Sequence, residues 1–260
     1  MRVNGSEVVV EGSGPPIVMV HGWPDTLRLW DGQVAALKDR YRCIRFTLPG
    51  FDMEGDGRAR SLDEVVETVH AIVQRAAPGE KVILLLHDWG CFYGYQFAVR
   101  HPQLVERIVG VDIGDAGSRR HLAQIGLPGK LAVMAYQVWL SLAWKIGGPM
   151  GDFMARSMAR LLRCPADPRT IGWQMGYPYA VRWLGAAGGV RGLRVFVPHC
   201  PMLFLYGEKK PLMFHSRAWA EELGAQAGNR VIAFPTGHWI MVSRAAEFNQ
   251  ALRAWLSEQE

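Results

Sequence analysis

Lys81–Leu86 runs almost continuously apolar and passes without a break into His87-Asp88-Trp89-Gly90. A strand that is apolar at successive positions, not alternate ones, is buried on both faces, as in the centre of a parallel sheet covered by helices above and below. The rest of the chain follows the same plan. Val8–Val10, Ile17–Val20 and Cys43–Thr47 read as earlier strands, and Arg107–Ile113, Pro201–Tyr206 and Arg230–Phe234 as later ones. Helical stretches fall between them at Leu29–Leu37, Gly90–Arg100, Phe214–Leu223 and Ala245–Leu256. A further helix opens with the capping box Ser61-Leu-Asp-Glu64 and carries Val65, Val66, Val69 and Val73 along one face. Strands alternating with helices imply an α/β fold with a mostly parallel sheet.

The rhythm stops after Asp115. From Gly117 to Pro198 no strand pattern is visible, only helical segments rich in Met, Trp and Tyr. The simplest organisation is an α/β core of residues 1–116 and 199–260 with an inserted helical cap at 117–198. Within that insertion, Leu131–Trp144 is nearly all apolar between Lys130 and Lys145. It is too short to span a bilayer, which takes about 20 apolar residues. It reads as a buried or cavity-facing helix, with contact at a membrane interface as the alternative.

Composition narrows the function. The chain of 260 residues is 49% hydrophobic and 20% charged, enough for a large core and too apolar for disorder. The net charge of +5 comes from scattered basic residues, so no nucleic-acid partner is expected. Cys43, Cys91, Cys164 and Cys200 form no CxxC pair and no zinc-ligand spacing with histidine, so neither metal nor cofactor is expected. The first residues lack an apolar leader, which points to a reducing cytoplasm. Oligomeric state stays open, a homo-oligomer included.

The chemistry centres on Asp88. A sharp strand-to-helix turn lifts one side chain above the sheet, and the helix N-terminus behind it supplies free N–H groups and a positive dipole end. Gly90 allows the backbones to approach, and Gly94 suits close helix–strand packing. The serine form of this elbow reads G-x-S-x-G; here the centre is Asp and the leading position is Leu86, which disfavours a serine esterase. The competing reading is that Asp88 merely caps the helix.

His21-Gly-Trp-Pro24, Leu48-Pro-Gly-Phe51, His87-Asp-Trp-Gly90 and Gly237-His-Trp239 together resemble the epoxide hydrolase and haloalkane dehalogenase branch of the α/β-hydrolases. The resemblance implies an α/β-hydrolase fold and a nucleophilic Asp88 that attacks an electrophilic carbon to form an alkyl ester. A water activated by His238 would then hydrolyse that ester. It implies Trp23 and Trp89 backbone N–H groups as the oxyanion donors, with His21 ordering their loop and a cis bond before Pro24.

A third carboxylate should orient His238. In many relatives it follows the strand that here ends in Leu205-Tyr-Gly-Glu-Lys-Lys210, but the expected position is Lys210. A second family arrangement places it after the preceding strand, and by register that position is Asp115, with Glu208 and Asp112 as alternatives. Cap tyrosines that hydrogen-bond an epoxide oxygen would be Tyr177 or Tyr179, with Tyr136 behind them. The expected substrate is small and hydrophobic. An epoxide is favoured over a halide because Trp23 stands where dehalogenases often carry Asn or Glu. Haloalkane or haloacid dehalogenation is the rival within enzymes, and a non-catalytic scaffold binding a ligand or a partner is the rival outside them.

Overall fold

The structure is a computed structural model that describes residues 1–258. In chain order its strands are β1 (Arg2–Val3), β2 (Ser6–Glu11), β3 (Pro16–Val20), β4 (Arg42–Phe46), β5 (Val82–His87), β6 (Val105–Val111), β7 (Met202–Gly207) and β8 (Arg230–Phe234). They form one sheet in the order β1-β2-β4-β3-β5-β6-β7-β8. Only β1–β2 and β2–β4 pair antiparallel; the other neighbours are parallel. This is the α/β-hydrolase architecture that the motifs imply.

Pleating divides the core. In β5, Val82, Leu84 and Leu86 point to one face while Ile83 and Leu85 point to the other, and all five are buried. The first face is covered by helices α2 (Leu62–Ala76) and α3 (Trp89–Arg100), through residues such as Val69 and Phe97. The second is covered by α1 (Asp31–Leu37), near one end of the chain, and α10 (Ala245–Glu258), near the other, through Val34, Phe248 and Trp255. The capping box forms as read: the Glu64 N–H donates to Ser61 Oγ and the Ser61 N–H donates to Glu64.

Among the described residues no strand lies between β6 and β7. The segment instead holds α4 (Arg119–Gln124), α5 (Leu127–Ile146), α6 (Gly148–Leu161) and α7 (Tyr177–Leu184). Beyond it, α8 (Arg217–Gly224) and the short α9 (Ile240–Ser243) complete the helices. One expectation fails in part. Within α5 only Leu140, Ser141 and Ala143 are buried, although the helix is apolar along most of its length. Tyr136 and Trp139 face a cavity, while Leu131, Met134, Leu142 and Ile146 face outward.

Candidate active site

Asp88 occupies the single residue between β5 and α3. Its backbone sits at φ 52° and ψ −123°, a region that residues with a Cβ enter only under strain. The side chain makes no cap hydrogen bond to α3, so the helix-capping reading is not realised. Instead Asp88 Oδ1 accepts a 2.7 Å hydrogen bond from the Trp23 backbone N–H, and the Trp89 N–H also supports the charged carboxylate. Of the two expected donors, the Trp23 N–H makes a hydrogen bond to this carboxylate, and the Trp89 N–H favours its charged form.

Two glycines make the approach possible. A Cβ on Gly22 would lie 2.3 Å from Asp88 Oδ1, and one on Gly90 would lie 2.2 Å from the Val20 carbonyl oxygen. The Trp23–Pro24 bond is cis. His21 ties this loop to the next: its Nε2 accepts from the Leu48 N–H at 2.9 Å, and its Nδ1 donates to the Gly22 carbonyl at 2.9 Å. Burial lowers its pKa to about 4, which keeps the ring neutral and able to act as both donor and acceptor.

His238 hangs in the loop after β8, with Nε2 3.6 Å from Asp88 Oδ2. Its Nδ1 donates to Asp112 Oδ2. Asp112 follows β6 directly and is itself held at φ 70°. Its Oδ1 accepts from the Gly207 N–H at 3.0 Å and from the Lys210 ammonium. Lys210 also donates to the Gly207 carbonyl at 2.9 Å. Lys210, at the position where a carboxylate was expected, thus pairs with the carboxylate that meets His238. His87 donates from Nε2 to the His238 carbonyl at 3.2 Å and so holds the His238 loop.

The charges in this group are mutually dependent. Burial alone would lower the His238 pKa, but the charge and hydrogen bond of Asp112, with Asp88, raise it to about 9. Burial would raise that of Asp112, yet His238 and Lys210 bring it down to about 2. For Asp88, burial is likewise outweighed by His238, and its carboxyl ionises more readily than usual. The resting site is therefore two carboxylates interleaved with two cations.

Asp115, the acid expected from register, is elsewhere. Its Oδ1 accepts from the Ser216 N–H at 2.6 Å, and its Oδ2 accepts from the hydroxyls of Ser216 and Ser118. Ser118 and Ser216 are the N-caps of α4 and α8, so Asp115 clamps two helix starts. The chain has already turned away by then, because the Gly114 N–H bonds to the Phe214 carbonyl. Glu208 is exposed beside a separate pocket with Tyr206 and His215.

A cavity of about 1020 Å³ opens above Asp88 and His238, lined also by Trp23, Tyr136, Trp139, Met158 and Tyr179. Tyr136 and Tyr179 stand together, ring centroids 6.0 Å apart. Tyr177 does not reach the cavity: its ring packs on Phe51 and its hydroxyl lies beside Tyr93. Sequence reasoning missed Gly22 as the contact residue of Asp88. It also missed Asp25, a buried carboxyl that accepts from the Trp239 indole at 2.9 Å. Burial raises the Asp25 pKa to about 7. Among the described residues no group of three or more His, Cys, Asp or Glu is placed to hold a metal ion.

Comparison with known proteins bears on the fold and the family. The chain is 32% identical over 117 residues to the Mycobacterium tuberculosis protein named "Probable oxidoreductase EphD", covering 42% of this chain and 19% of that protein. It is 31% identical over 117 residues to the cis-3-alkyl-4-alkyloxetan-2-one decarboxylase of Shewanella oneidensis, covering 43% and 37%. It is 27% identical over 109 residues to epoxide hydrolase 1 of Caenorhabditis elegans, covering 41% and 27%. The matches span less than half the length of these curated relatives. An epoxide hydrolase structure from Bacillus megaterium superposes with a TM-score of 0.75 at 17% identity, over 99% of both chains. The profile of the alpha/beta hydrolase fold matches residues 15–245, and the chain belongs to that family.

Proposed function

We propose that the protein is a hydrolase that opens a hydrophobic epoxide through a covalent ester on Asp88. The observation that carries this reading is the division of labour on one carboxylate: Oδ1 is held by the Trp23 N–H while Oδ2 faces His238 and the cavity. Oδ2 attacks an epoxide carbon, and the C–O bond breaks toward the ring oxygen. The hydroxyls of Tyr136 and Tyr179, which line the cavity, are the cap donors for that oxygen as it gains charge. Esterification removes one of the two negative charges that hold the proton on His238, and that proton passes to the alkoxide left by ring opening. The neutral ring can then deprotonate a water that attacks the ester carbonyl, and its oxyanion develops between the Trp23 and Trp89 N–H groups. Asp112 steadies the imidazolium that results. The helical segment 117–198 acts as the cap that excludes bulk water from the reaction.

The names of two relatives point the same way, since an epoxide and an oxetan-2-one are both strained oxygen rings. One observation favours a second reading, dehalogenation: Trp23 Nε1 is buried at the cavity without a hydrogen-bond partner, and an indole N–H of this kind can hold a halide.

Intact-protein mass spectrometry on His238→Gln tests the proposal. After exposure to apolar epoxides the mass should rise by that of the epoxide, and adding Asp88→Asn should abolish the gain. Haloalkanes giving the adduct in place of epoxides would transfer the assignment to dehalogenation. No adduct across a broad panel of both would overturn covalent chemistry and leave a ligand-binding scaffold.

A further inference from the structure

The α5 helix inverts the usual arrangement of a surface helix. Leu127, Leu131, Met134, Leu142 and Ile146 recur at intervals of three, four or eight residues, which puts them on one face. That face is exposed: Leu127 retains 68% of its accessible surface and Ile146 57%. The stripe runs the length of a 20-residue helix, about 30 Å. On α6, which follows directly, Met150 and Phe153 are exposed as well. Apolar surface of this extent on a folded chain marks a contact site.

Charge identifies what it contacts. Residues 117–198 hold 11 Lys and Arg against 2 Asp and Glu, whereas the whole chain holds 29 against 24, so the remainder holds 18 against 22. The positive charge of the protein is thus concentrated on the helical segment. Lys145 falls in line with the apolar stripe one turn after Leu142, and Lys130 flanks its first turn. Arg160 and Arg163 stand beside exposed Leu161 and Leu162. None of these four cations forms an ion pair with Asp or Glu among the described residues. Trp139, Leu161 and Leu162 are at once exposed and part of the cavity lining, so the cavity reaches the surface beside this stripe. No described helix is long and apolar enough to cross a membrane.

We propose that the α5–α6 face docks on a bilayer surface containing anionic phospholipids, with the cavity mouth turned toward the lipid. The leucines, Met150 and Phe153 enter the boundary between headgroups and acyl chains, and the lysines and arginines meet the phosphates. A second copy of the chain is the poorer occupant. A two-fold contact across this face sets Lys130 and Lys145 against the same cations of the other copy, with almost no acidic residues in the segment to offset them. Docking of this kind lets an apolar substrate pass from the bilayer into the cavity without crossing water.

Flotation of the full chain with phosphatidylcholine vesicles, alone or mixed with phosphatidylglycerol, tests the proposal without any substrate. Its outcome is therefore independent of the reaction assigned above. The protein should float with the mixed vesicles, stay behind with phosphatidylcholine alone, and be released by high salt. Lys130→Gln and Lys145→Gln should each weaken binding about five-fold. Leu131→Ser with Leu142→Ser and Ile146→Ser should abolish it, with circular dichroism and Tm unchanged because all three residues are exposed. Absence of flotation at low salt, or flotation indifferent to these variants, overturns the proposal. So does a dimer in light scattering that the Ser variants dissociate.

Discussion

Asp112 serves two cations, and that is the residue whose role the sequence concealed. That Asp88 and His238 lie together could be expected because each sits in a short motif whose neighbours have defined backbone duties. The carboxylate that meets His238 has no motif, only a distance from the end of a strand. Asp115 had the expected register, but Ser216, which captures it, is about 100 residues away in sequence and invisible to local reasoning. Asp112 reaches His238 because β6 ends one residue earlier and leaves the chain at positive φ. Lys210 was legible only as a missing acid. In the fold its ammonium shares Asp112 with the imidazolium, so it works against protonation of His238. Replacing it by Met should raise the His238 pKa further above about 9. Less neutral base then remains at neutral pH, and ester hydrolysis should slow about tenfold for each unit gained. Single-turnover kinetics across pH should show the rate recovering as pH rises, and Lys210→Arg should restore much of the neutral-pH rate. An unchanged pH profile in Lys210→Met would remove Lys210 from control of the base.

At the scale of elements, the elbow depends on what β3, β5 and α3 leave out. The α3 helix begins so close to β3 that a methyl group at Gly90 would meet the Val20 carbonyl. Backbone cannot yield as a side-chain end can, so Gly90→Ala should cost about 1–3 kcal/mol. Chemical denaturation should register it as a lower midpoint at unchanged m-value, with activity falling further than stability because Asp88 moves with the helix start. The strands and most helices were readable from apolar period alone. The faces of α5 were not: a helix apolar over most of its circumference carries no internal mark of which side is covered. Tyr177 illustrates the same limit, since two tyrosines two residues apart on α7 face different surroundings and only Tyr179 reaches the cavity.

On the scale of the molecule, the cavity lies between the sheet's C-terminal edge and the helices of residues 117–198, so a ligand bound there bridges both. An unreactive substrate analogue at about 100 times its Kd should add about 2.7 kcal/mol of stability. For a chain of this size that corresponds to a Tm increase of about 5–10 °C in thermal denaturation. A shift abolished by widening the cap side of the cavity, as in Tyr179→Ala, would place the analogue in this cavity and not in the pocket beside Glu208. The junctions of the helical segment have a further consequence. It leaves the sheet after β6 and returns to β7, and those two strands are hydrogen-bonded neighbours, Ile108 to Met202 through Val111 to Leu205. The ends of the insertion are thus anchored side by side whatever lies between them, and lengthening such a loop costs only logarithmically. Asp112 and Gly207 keep their register through the sheet alone. Replacing residues 117–198 should therefore alter what the cavity admits while leaving the His238–Asp112 contact in place.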